Sequence, residues 1–81
     1  MPRASSKVDI NGDLVALGAA VRLHRKNIGL SQEALADLAK IDRSHMGKIE
    51  RGERNVSVLN VLRIAHALNT TLAQLSQSAD L

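Results

Sequence analysis

Residues 30–52 read L-S-Q-E-A-L-A-D-L-A-K-I-D-R-S-H-M-G-K-I-E-R-G, and the fold is decided here. Ser31 is a helix N-cap, because its hydroxyl can accept a hydrogen bond from a free amide of the first turn. Glu33 then sets a negative charge near the positive end of that helix. Leu35, Ala36 and Ala39 recur at helical spacing and predict a narrow apolar stripe on a helix over 32–39. Asp42 is a second N-cap and predicts another helix over 43–51. On it Met46, Ile49 and Glu50 turn inward, while Arg43, Ser44, Gly47, Lys48 and Arg51 fall on the other side. Gly52 ends that helix where a left-handed residue is wanted.

Two short helices joined this tightly make a helix-turn-helix, the arrangement that lays its second helix in the DNA major groove. The rest of the composition fits. The chain has 81 residues, enough for one domain. A domain so small buries only about 60% of its unfolded surface and gains from pairing with a second copy. It is 44% hydrophobic without a single Phe, Trp or Tyr. The core is therefore aliphatic, and the aromatic platforms that stack single-stranded bases are excluded. Absence of cysteine excludes disulfides, zinc–thiolate sites and thiol catalysis. The net charge of +3 lends modest support to a polyanionic partner. No apolar run approaches the roughly 20 residues of a membrane span. Arg3 and Lys7 are followed by no apolar segment, so the N-terminus does not read as a signal peptide. A cytoplasmic location is expected.

Working outward, residues 1–10 read as a flexible arm, with the only proline and paired serines. Residues 11–77 read as the domain and 78–81 as a polar tail. Asn11-Gly12-Asp13 signals a turn and an N-cap. A first helix is predicted over 13–27, with Leu14, Leu17, Val21, His24 and Ile28 on its inner stripe. Arg22, Arg25 and Lys26 gather at its C-terminal end, where cations suit the helix dipole, and Gly29 stops it. Ser57 caps a fourth helix from Val58 to Leu68, with Val58, Val61, Ile64, Ala65 and Leu68 buried. Asn69 tolerates a left-handed cap. Thr71 with Gln74 forms a capping box for a short fifth helix over 72–77. The expected architecture is all-α: a compact five-helix domain with the helix-turn-helix in helices 2 and 3. Gly47 costs that third helix about 1 kcal/mol in propensity. It admits either close packing on another helix or close approach to DNA.

The strings G-L-S-Q-E-A-L-A, I-D-R-S-H-M-G-K-I-E-R-G-E-R-N and I-A-H-A-L-N resemble the phage-repressor and Cro family of helix-turn-helix proteins across residues 17–75. Within it, D-R-S followed by E-R-G-E-R-N-V-S is similar to the controller proteins of restriction-modification systems. The resemblance implies a homodimer that pairs through its C-terminal helices. It also implies regulation of the protein's own gene and of a linked restriction gene. Arg25 and Glu50 stand where related repressors hold an inward-facing ion pair, and a buried pair is the expectation; the alternative is that both are exposed. Lys40 stands where the family carries a left-handed glycine, a departure that costs about 1 kcal/mol. His24 replaces a usual leucine and reads as a pH-sensitive group or a half-buried imidazole with its tip in water. His45 replaces a frequent aromatic residue.

DNA binding needs phosphate contacts for affinity and base-edge contacts for specificity. Arg43, Ser44, His45 and Lys48 are the candidate base readers. Arg43 leads, since arginine can bond both O6 and N7 of guanine. Gln32, Arg51, Arg54 and Asn55 are the candidate phosphate contacts. Leu59, Leu62 and Leu72 lie off the buried stripes and suggest a dimer interface. No nucleophile elbow, metal-ligand spacing or phosphate loop is present, so neither catalysis, nor a cofactor, nor a metal is expected. The expectation is a sequence-specific double-stranded DNA-binding transcriptional regulator, acting as a homodimer on a near-palindromic operator. The alternative is an antitoxin-like interaction module that uses helices 4 and 5. RNA polymerase and a toxin are the candidate protein partners.

Overall fold

Caps and breaks at both ends of each helix set the element order. The computed structural model describes residues 9–81. Among them are five helices and no strand: α1 Asp13–Asn27, α2 Gln32–Ala39, α3 Arg43–Glu50, α4 Val58–Ala67 and α5 Leu72–Ser78. Four helices carry the side-chain caps that the sequence predicts. Ser31 Oγ accepts from the amide of Ala34 at 3.0 Å, and Asp42 Oδ2 from Ser44 and His45 at 3.1 and 3.3 Å. Ser57 Oγ accepts from Asn60 at 3.1 Å and Thr71 Oγ1 from Gln74 at 3.0 Å. The capping box at Thr71 closes on one side only: Gln74 Oε1 accepts from Thr70 Oγ1.

The exception is α1. Its N-cap, Gly12, is left-handed and offers no side chain. Asp9 serves instead, its carboxylate accepting from the amides of Leu14 at 3.0 and 3.1 Å and Val15 at 3.2 Å. The arm read at residues 1–10 otherwise falls outside the described residues. At the other end of the chain α5 runs one residue further than predicted, to Ser78, and Ala79 is buried.

The turn of the helix-turn-helix is residues 40–42. Lys40 adopts the left-handed conformation at φ 60°, and the amide of Ile41 reaches back to the carbonyl of Ala36 at 2.9 Å. That is a Schellman closure made without glycine. Ile41 is buried just after it, so core packing holds the strained residue in place. Asn69 and Gly52 are left-handed as predicted.

The five helices enclose one aliphatic core. Val21 of α1, Leu35 and Ala36 of α2, Met46 and Ile49 of α3, Val61 and Ile64 of α4 and Leu75 of α5 all contribute. In it α1 packs on α3 and α5, α2 on α3 and α4, and α4 on α5. Two expected core positions are corrected. Ile28 is 52% and Val58 68% exposed, because each sits at a helix end beyond the reach of the neighbouring helix. His24 is half-buried as read, and its Nε2 lies 2.9 Å from Ser78 Oγ at an exposed position. None of the helices is long and apolar enough to cross a membrane, among the described residues.

Candidate nucleic-acid interface

Close backbone packing puts the second helix of the motif in place. A Cβ on Gly18 of α1 would stand 2.3 Å from the carbonyl oxygen of Ile49 and 2.6 Å from that of Glu50. One on Gly52 would stand 2.6 Å from Val15 Cα. The C-terminal end of α3 therefore rests directly on the backbone of α1. The sequence reading missed both contacts. For Gly18 the available signal was a glycine inside a predicted helix, which costs about 1 kcal/mol unless packing uses it.

The close approach brings Arg25 onto Glu50. Arg25 Nε meets Glu50 Oε2 at 2.7 Å and Nη2 meets Oε1 at 2.9 Å, with the two side chains 11% and 3% exposed. This two-point geometry is the strong form of the pair. The hydrogen bond to Glu50 holds the Arg25 guanidinium above its ordinary pKa, against the opposing effect of burial. Arg25 Nη1 also donates to the carbonyl of Leu30 at 3.0 Å, and Gln32 Nε2 donates to Glu50 Oε1 at 3.1 Å. The buried pair thus ties α1, the segment before α2, the first residue of α2 and the end of α3 into one unit.

From that unit the predicted site residues spread over adjoining surfaces of α2 and α3. A Cβ on Gly47 would lie 3.2 Å from Arg51 Nη1 and 3.3 Å from Gln32 Oε1. The start of α2 therefore adjoins the end of α3. Gly47 is buried and not exposed on the outer side as read, but the atoms nearest a Cβ there are side-chain ends and not the backbone of another helix. At the other end of α3, Arg43 Nη1 is 3.0 Å from Glu33 Oε2, with side chains 65% and 60% exposed. Ser44 is exposed, and His45 and Lys48 are half-buried on the same helix. Gln32 is half-buried and spends one N–H on Glu50; a primary amide has a second one. Arg51 Nε donates to Glu53 Oε2 at 3.0 Å. Arg54 is half-buried and Asn55 exposed in the loop before α4. Sequence reasoning found these residues from helix faces but missed the two ion pairs to Glu33 and Glu53.

Chemically the surface offers fork-shaped and point cations, a hydroxyl and the amide end of a capped helix. Such groups suit phosphate oxygens and base edges. No group of three His, Cys, Asp or Glu residues gathers in metal-binding geometry among the described residues. Leu59 and Leu72 are 57% and 39% exposed, and Leu62 is half-buried.

Comparison with known proteins agrees with this arrangement. A helix-turn-helix family matches residues 21–75. The control protein C.SmaI of Serratia marcescens is 41% identical over 59 residues, which span 73% of this chain and 70% of that protein. The control protein C.MunI of Mycoplasma sp is 39% identical over 54 residues, 67% of this chain and 73% of that one. The crystal structure of the restriction-modification controller protein C.AhdI from Aeromonas hydrophila superposes with a TM-score of 0.77. It is 48% identical and covers 79% of this chain and 97% of that one.

Proposed function

This chain belongs to the Cro/C1-type helix-turn-helix family of DNA-binding transcriptional regulators, and we propose that it acts as a homodimer on a near-palindromic operator, as a controller of restriction-modification genes. The observation that carries this reading is the joined face of α2 and α3. Glu33 with Arg43, and Gln32 with Gly47 and Arg51, put the first turn of α2 alongside the whole length of α3. A duplex whose major groove takes α3 then meets Arg43 and Ser44 at the leading end, with His45 and Lys48 behind them. Its backbone passes Gln32, Arg51, Arg54 and Asn55. The controller role, on the protein's own gene and a linked restriction gene, is supported by the control-protein relatives, which favour it over an antitoxin-like module.

The two kinds of contact separate experimentally. An operator recovered by selection from a randomised duplex library is compared with a scrambled duplex across a salt series. Arg43→Ala costs about 1–3 kcal/mol on the operator, relaxes preference at one base pair per half-site and changes scrambled binding much less. Arg54→Ala weakens both duplexes alike and flattens the salt dependence by about one phosphate per subunit. Equal losses on both duplexes for Arg43→Ala would make it a phosphate contact and shift base reading to Ser44, His45 or Lys48.

A further inference from the structure

The Glu33–Arg43 pair stands out because it contributes little to the fold. Both side chains are more than half exposed, and such pairs contribute only about 0–1 kcal/mol to stability. It nevertheless joins the first turns of the two helices that face DNA. Three other acids of this region have work of their own. Asp42 Oδ2 is spent on the amides of Ser44 and His45, Glu50 is buried on Arg25 and Gln32, and Glu53 holds Arg51. Glu33 therefore brings an exposed negative charge to a surface that has to approach a polyanion.

We propose that Glu33 is a positioning residue that sets sequence specificity by deciding where the Arg43 guanidinium can go. This rests on the reading of Arg43 as a base reader. A guanidinium has five N–H donors. It can keep one on the Glu33 carboxylate while two others meet O6 and N7 of a guanine. Swinging instead to a phosphate leaves the carboxylate unpaired beside the DNA backbone, where like charges repel. The pair thus penalises the phosphate-bound arrangement, and specificity is the difference between the two affinities.

The test is a cycle of wild type, Glu33→Gln, Arg43→Ala and the double variant. Each is titrated with the selected operator and a scrambled duplex of equal length, with melting temperatures confirming the fold. Glu33→Gln is expected to tighten scrambled binding more than operator binding, cutting the specificity ratio by about threefold to tenfold. In the Arg43→Ala background the same change is expected to shift both duplexes equally, as removal of one surface charge does. Equal shifts on both duplexes in the presence of Arg43 overturn the proposal while the Arg43 reading stands, provided Arg43→Ala itself loses operator binding selectively. A non-selective loss for Arg43→Ala overturns both. A ratio that falls just as far without Arg43 also overturns the proposal, since Glu33 would then act on DNA directly.

Discussion

Glu50 lies beneath the surface proposed to meet DNA and ties its parts together. It accepts two hydrogen bonds from Arg25 and one from Gln32. Replacing it by alanine strands the Arg25 charge and frees Gln32. Removing one partner of such a buried pair typically costs about 3–5 kcal/mol. Thermal melting of Glu50→Ala should show a loss of that order, and a near-unchanged melting temperature would mean that water takes over the pairing. The raised pKa of Arg25 fixes the sign of its pH dependence. Its stabilisation is complete below the ordinary guanidinium range and is lost only as pH rises beyond it, so Arg25 adds no slope near neutrality. Lys40 makes the opposite case, a residue at odds with its backbone. Its left-handed φ of 60° is cheap only for glycine. Lys40→Gly relieves strain but loosens the unfolded chain, so a gain of under about 1 kcal/mol is expected in denaturant unfolding. Lys40→Val, β-branched, should lose stability in the same assay.

At the scale of elements, α1 and α3 are joined backbone to backbone. Gly18→Ala improves helix propensity by about 1 kcal/mol yet drives a methyl into the carbonyls of Ile49 and Glu50. The helices must part, and a net loss of about 1–3 kcal/mol is expected. Gly47→Ala is the control, since its methyl meets only the movable ends of Arg51 and Gln32. It should stay within about 1 kcal/mol of wild type. A Gly18→Ala protein that melts at or above the wild-type temperature would show that α1 and α3 are not locked this way. The contrast marks what was legible in the sequence. All five helices were, because caps such as Ser31, Asp42 and Ser57 and the apolar periods act within a few residues. The Arg25–Glu50 pair was legible only through family resemblance, since the two lie on different helices. Gly18, the Asp9 cap and the Glu33–Arg43 pair were not, because each depends on how one segment docks on another. Val58 and Ile28 were misread for the same reason: periodicity names the face of a helix but not where its neighbour stops.

At the scale of the whole molecule, the unresolved demand is apolar surface. Among the described residues, Leu59 and Val58 at the start of α4 and Leu72 at the start of α5 stay exposed. The proposed two-fold dimer would bury the same patch from both subunits. In the proposed dimer the two α3 helices are expected about 34 Å apart, one turn of duplex, as a palindromic site requires. Leu59→Asp and Leu72→Asp place a charge in that interface without touching the aliphatic core. Each variant should keep the helical circular dichroism of the parent, sediment as a monomer at concentrations where the parent is a dimer, and protect the operator poorly in footprinting. The loss on DNA should exceed the loss of any single base contact, because a monomer reaches only one half-site and forfeits the effective concentration that pairing supplies. Variants that remain dimeric and footprint like the parent would move the pairing surface elsewhere. The outer face of α1 is then the next surface to test, since Val15 and Leu23 are each 54% exposed.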